Sequence, residues 1–154
     1  MVMCDYFSAP DDAAAVAVLD LPGGLGAPRT DGGPPLDVQP LKGIDPVVVL
    51  ARLESILTDA PYDEVSERPR VGQLLSSPAA EGAFVLSVSD TLQTALVTAT
   101  PAALTAAAGP WSRTEELEQC GLTAETCAHI LELLADLASR ASASGLRLYC
   151  RWAL

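Results

Sequence analysis

The clearest hydrophobic pattern lies in the last third of the chain, from residue 122 onward. Apolar side chains recur there at the spacing of a helix with one buried face, and Gly145 can then adopt the left-handed conformation that ends a helix. The pattern next changes to strict alternation, which is typical of a half-buried strand. The helical stripe consists of Cys127, Ile130, Leu131, Leu134, Leu137, Ala138 and Ala141. The strand alternates Leu146, Leu148, Cys150 and Trp152 with Arg147, Tyr149 and Arg151.

The first part of the chain predicts two strands and two helices. Residues 3–8 favour a short strand, and Ser8 is placed to cap a helix that runs to about Asp20. A second extended segment covers residues 36–41. Asp45 and Pro46 suit the cap and first position of a helix that ends near residue 58. Its core candidates are Leu50, Leu53, Ile56 and Leu57.

The middle of the chain is mostly helical in pattern. Residues 59–82 are polar and predict mainly loop, and residues 84–88 predict a strand. Ser89 is expected to cap a helix to about residue 98, and a further helix should run from residue 100 to Gly109. Residues 112–115 fit a capping box, in which a serine and a glutamate satisfy each other's backbone amides at the start of a helix.

This order of elements predicts an α+β fold. We expect a small mixed or antiparallel sheet that contains the N- and C-terminal strands and is covered by several helices on one side. The length of 154 residues suits a single domain over residues 1–154. The segment 22–35 is rich in Gly and Pro, which predicts a flexible loop, either a lid or an inert insertion.

Charge and cysteine usage narrow the classes of function. The 20 acidic and 9 basic residues give a formal net charge of −11, which disfavours nucleic acid and anionic membranes as partners. No run approaches the roughly 20 apolar residues of a membrane span, so we expect a cytoplasmic protein. The four cysteines lie far apart, and we expect reduced thiols with no metal and no cofactor.

The strongest candidate for a partner contact is the segment 110–113. Trp111 in a connection between helices either fills the edge of the core or anchors a partner, and Arg113 beside it suits carboxylates. Tyr62 in a polar loop is a second candidate. The row of Arg147, Tyr149 and Arg151 is either a third contact surface or the solvent side of the sheet.

His129 is the one histidine of the chain, which excludes mechanisms that need two. Glu125 and Glu132 stand four residues before it and three after it, so the three side chains can share one helix face. Such a cluster either moves protons or binds a metal weakly, or it is a solvated helix face with favourable charge spacing.

Several local patterns resemble the YfbM-like family, a bacterial domain of unknown function. Residues 1–3 and the aromatic pair Tyr6 and Phe7 resemble the start of that family. The helix ending at residue 58 and the terminal helix, glycine and strand also match in order. Leu50 and Glu54 stand where that family tends to carry Trp and His, and Asp59 replaces its Gly. The resemblance implies a fold and no activity.

The leading hypothesis for function is a non-catalytic, acidic protein-interaction module, for example one that masks a basic partner such as a toxin domain. It depends on the acidic imbalance and on the lack of a catalytic motif. The alternative is a small-ligand-binding protein or a carboxylate-dependent enzyme with a pocket between the sheet and the helices. A third possibility is self-association through a sheet edge.

Overall fold

The computed structural model describes residues 2–21, 24–25 and 36–154. Within this part of the chain lies an antiparallel sheet in the order β2-β1-β4-β3. The N- and C-terminal strands are its two central strands, and they pair from Met3 opposite Ala153 to Ala9 opposite Arg147. This confirms the predicted α+β fold with both terminal strands in one sheet. The strands are β1 (Met3–Ala9), β2 (Val38–Pro40), β3 (Ala83–Ser87) and β4 (Arg147–Ala153).

Helices α2, α4, α5 and α7 form a layer on one face of the sheet. The helix α7 ends as its sequence predicts, with Gly145 at a φ of 69° after its last turn, and six residues of its predicted stripe are fully buried. The helices are α1 (Asp12–Ala17), α2 (Val49–Thr58), α3 (Tyr62–Ser66), α4 (Asp90–Thr98), α5 (Pro101–Ser112), α6 (Glu115–Gln119) and α7 (Ala124–Ala143).

The second face of the sheet is also covered, which the alternating pattern of β4 did not predict. Tyr149 was expected on a solvent-facing row, yet it is fully buried. Its ring stacks on that of Phe7 with centroids 5.8 Å apart. The cause is α1 and the 3₁₀ turn that follows it, which fold back across this face and contribute Ala15 and Val18, respectively, to a second, smaller core. The prediction of helices on one side only is therefore wrong.

Two of the predicted helix starts need correction. Asp11, and not Ser8, caps α1, because its carboxylate accepts the amide of Ala14 at 2.8 Å while Ser8 belongs to β1. Asp45 accepts the amides of Val47 and Val48 at 2.9 and 2.7 Å, but it does so in a turn that precedes α2. The cap at Ser89 is confirmed by its bond of 3.1 Å from the amide of Leu92.

Helix α5 continues through Gly109 and Pro110 to Ser112, so its predicted end at Gly109 is wrong. The extension is feasible because hydroxyl groups satisfy carbonyls of the last turn. Ser112 donates to the carbonyl of Gly109, and Thr114 donates to that of Trp111, each at 2.7 Å. Ser112 is consequently the last residue of one helix, and the predicted capping box does not form.

The segment 59–82 is mainly loop, as predicted, and it contains one short helix and one isolated bridge to the sheet. Asp59 ends α2 in the left-handed region at a φ of 50°, which Asp tolerates better than most residues. Helix α3 follows, and Leu74 then bridges to Leu86 of the edge strand β3. The predicted loop 22–35 lies outside the described residues, apart from Gly24 and Leu25.

Candidate functional sites

Trp111 is part of the main core. Its side chain is 0% exposed, and its indole Nε1 donates to the backbone carbonyl of Val49 at 3.1 Å. Trp111 therefore fills the core, which is one of the two roles that its sequence position suggested. Trp111 offers no surface to a partner in this conformation.

The other residues proposed for partner contact do not assemble around Trp111. Arg113 is exposed at the end of α5. Tyr62 is half-buried beneath the guanidinium of Arg52, whose carbon lies 4.1 Å from the ring centroid. Arg52 also reaches a carboxylate oxygen of Glu116 at 3.5 Å. Tyr62 therefore participates in a contact between α2, α3 and α6.

The histidine cluster lies on the solvent face of α7. His129 and Glu132 are 70% and 71% exposed, and Nδ1 of His129 lies 4.0 Å from Oε2 of Glu132. Glu125 is exposed as well. Within residues 2–21, 24–25 and 36–154, no group of three or more His, Cys, Asp or Glu side chains is placed to hold a metal ion. The arrangement is that of a solvated helix face.

Glu54 is a buried carboxylate that the sequence pattern did not identify as a site residue. Its side chain is 1% exposed, and it accepts from Arg68 Nη1 at 2.9 Å and Thr91 Oγ1 at 2.8 Å. The hydroxyl of Ser89 donates to its other oxygen. One signal was present, because Glu54 follows Leu50 by four residues and so falls on the apolar face of α2.

The contacts of Glu54 indicate a structural role. Both carboxylate oxygens accept hydrogen bonds, and the groups that donate come from the segment after α3 and from the start of α4. The ion pair thereby fastens α2 to both. It borders a polar cleft of about 740 Å³. The lining of this polar cleft consists of Leu57, Thr58, Arg68, Asp90, Thr91, Thr94, Ala95, Thr98, Ala99 and Ala103.

A second polar group covers Tyr149 on the opposite face of the sheet. The Tyr149 hydroxyl donates to Asp12 at 2.8 Å, and Arg70 approaches the same carboxylate at 3.0 Å. The hydrogen bond from Tyr149 lowers the pKa of Asp12. Burial, together with this bond to Asp12, raises the pKa of Tyr149 to about 12. Through Asp12, these contacts connect α1 to Tyr149 of β4 and to Arg70.

An open cleft of about 650 Å³ with a mainly apolar lining, called here the apolar cleft, lies beside the sheet. It lies between the turn before α2 and the helix-facing side of β3 and β4. Val47 and Leu74 on its walls are 46% and 42% exposed. The rings of Phe84 and Trp152 lie against each other with centroids 5.6 Å apart. The cleft is lined by Val2, Asp45, Pro46, Val47, Val48, Leu74, Pro78, Phe84, Leu86 and Trp152.

Trp152, unlike Trp111, lies at a surface cleft, and the sequence pattern predicts its position only in part. Alternation along β4 correctly places Trp152 on the same face as Cys150, which faces the helices. Cys150 is fully buried, whereas Trp152 is only half-buried and lines the apolar cleft. Sequence alternation gives the face of a side chain, but it does not give how far along the strand the helical layer extends.

No family model, curated protein or solved structure matches this chain. The resemblance to the YfbM-like family accordingly stays a prediction. Among the helices that the structure describes, none is long and apolar enough to cross a membrane.

Proposed function

We propose that this protein is a non-catalytic interaction module that binds an apolar segment of a basic partner protein in the apolar cleft. The observation that carries the proposal is the cleft itself. It combines two aromatic rings with exposed aliphatic side chains at Val47 and Leu74. Contiguous exposed apolar surface of this kind is typical of protein-interaction sites, and aromatic residues are enriched in them.

The charge of the chain supports a basic partner. The formal net charge is −11, and Asp45 is the one charged residue in the lining of the apolar cleft. An acidic surface accelerates encounter with a basic protein, while apolar contacts in the cleft govern how long the complex lasts. The partner segment should therefore carry Lys or Arg beside its apolar residues.

The geometry lends less support to the enzyme alternative. Glu54 is the buried carboxylate beside the polar cleft, but its oxygens are already occupied by Arg68, Thr91 and Ser89. His129 is exposed on a helix surface and 4.0 Å from its nearest carboxylate. A general base needs a free proton-accepting atom, and a general acid a proton to donate, within hydrogen-bond reach of a bound substrate. The oxygens of Glu54 are already paired, and His129 lines neither the polar cleft nor the apolar cleft.

The test is a selection of random peptides of about 20 residues, long enough for a helix of about 30 Å, displayed on phage. Peptides are selected on the wild type and then on the double variant Val47→Asn/Leu74→Gln. Val97→Asn is the matched control, because Val97 is an exposed valine, 39% accessible, on α4 outside the lining of the apolar cleft. All three substitutions are uncharged.

The proposal predicts peptides that bind the wild type and Val97→Asn but lose binding to the double variant. These cleft-dependent peptides should be enriched in large apolar residues and in Lys and Arg. Selection that yields no cleft-dependent peptide, or yields acidic ones, would contradict the proposed function.

A further inference from the structure

The backbone of the edge strand β3 is already paired beside the apolar cleft. The carbonyl of Val85 accepts the amide of Leu75 at 2.9 Å, and the amide of Ser87 donates to the carbonyl of Gln73 at 2.9 Å. The amide of Val85 donates to the hydroxyl of Ser76 at 3.0 Å. The segment 73–76 thus occupies the edge that an added strand would need.

Two backbone amides on the opposite wall of the cleft are also already paired. The amides of Val47 and Val48 both donate to the carboxylate of Asp45, at 2.9 and 2.7 Å. A partner that adds a strand derives its affinity from main-chain hydrogen bonds to exposed amides and carbonyls. The amides of Val85 and Ser87 on one wall, and of Val47 and Val48 on the other, are therefore not available to such a partner.

We propose that the segment bound in the apolar cleft is an amphipathic helix with an apolar face and a basic opposite face. This inference rests on the proposed function. A helix satisfies its own backbone hydrogen bonds and inserts apolar side chains from positions three and four residues apart, as a cleft walled by side chains requires. Its basic face would point to solvent, where the long-range field of a protein with a net charge of −11 favours it.

The cleft-dependent peptides from the phage selection test the inference through their pattern. A helical ligand predicts apolar residues with a period of three to four, and an added strand predicts alternation with a period of two. A synthetic peptide of consensus sequence should gain helical circular dichroism when the protein is added. Proline at a central position on the basic face of this peptide should weaken binding at least about tenfold, because proline breaks a helix. Alanine at the same position should not weaken binding.

The outcomes separate the two proposals. Cleft-dependent peptides with a period of two, or with proline tolerated at the centre, overturn the helical inference and leave the proposed function standing. A selection without cleft-dependent peptides overturns both. Helical peptides that bind Val47→Asn/Leu74→Gln as well as the wild type also overturn both, because they occupy another surface.

Discussion

The indole Nε1 of Trp111 donates a hydrogen bond of 3.1 Å to the backbone carbonyl of Val49 at the first residue of α2. This bond links the end of α5 to the start of α2, and it satisfies the one polar atom of a side chain that is 0% exposed. Trp111 thereby stabilises the helical layer. Pro46 and Val47, in the turn that precedes α2, line the apolar cleft.

Trp111→Ala should lower the free energy of unfolding by about 3–5 kcal/mol, because it creates a large cavity in the core. Trp111→Phe should cost less, since it keeps most of the ring and loses the hydrogen bond. Urea denaturation measures both. Trp152→Phe is the matched control, and a half-buried ring on the cleft should tolerate it with a smaller loss. Equal stability of Trp111→Ala and the wild type would contradict the core position.

Glu54→Ala should lower the free energy of unfolding by about 3–5 kcal/mol, because it leaves the Arg68 guanidinium without its carboxylate partner. Glu81→Ala is the control, since Glu81 is exposed, and it should stay within about 0.5 kcal/mol of the wild type. The double variant Glu54→Ala/Arg68→Ala should be less destabilised than the sum of the two single variants. A decrease of less than about 1 kcal/mol in the free energy of unfolding for Glu54→Ala would show that the ion pair contributes little to stability.

Stability should fall as the pH rises from about 10 to 12. In this window the unfolded chain loses the phenol proton of Tyr149, while the folded protein, in which the pKa is about 12, retains it. The unfolded state then binds fewer protons, so alkali favours unfolding, by about 2 kcal/mol across the window. Tyr149→Phe should lack this component when urea denaturation is repeated at several pH values. A Tyr149 phenol that titrates near 10 in the folded protein would contradict the bond to Asp12.

Cys120 should react with a thiol reagent in the native protein much faster than the other three cysteines. It is exposed, whereas Cys4, Cys127 and Cys150 are buried. Burial also raises the pKa of the Cys127 and Cys150 thiols, so that less thiolate is present. Absorbance with Ellman's reagent should show one fast thiol, and all four after denaturation. Cys120→Ser should abolish the fast phase; a persistent fast phase would mean that the core opens readily.

Sequence periodicity predicted the helices and strands that bury one whole face against a neighbouring layer of the fold. Helix α7, its end at Gly145 and the strand at each terminus belong to this group, because burial of one face enforces a single period. The covered second face at Tyr149 was not predictable, since α1 and β4 are separated by most of the chain. The same limit applies to the apolar cleft, which forms where the helical layer stops before Trp152.

The candidate chemistry was harder to predict than the fold. Trp111 was assigned to a connection because Gly109 and Pro110 usually end a helix, yet the hydroxyls of Ser112 and Thr114 let α5 continue. Glu54 was missed because its partners Arg68, Ser89 and Thr91 are remote in sequence. A buried charge on an apolar helix face is a signal, but the partner that satisfies it is visible only in three dimensions.

The most direct test of the central claim is surface plasmon resonance with one cleft-dependent peptide against the wild type, Val47→Asn and Val97→Asn. We expect Val47→Asn to weaken binding about tenfold, mainly through a faster off-rate, and Val97→Asn to bind like the wild type. The on-rate should fall for all three proteins as the salt concentration rises. Equal affinity of Val47→Asn and Val97→Asn, or an on-rate that does not depend on salt, would contradict the account of an acidic module that binds through the apolar cleft.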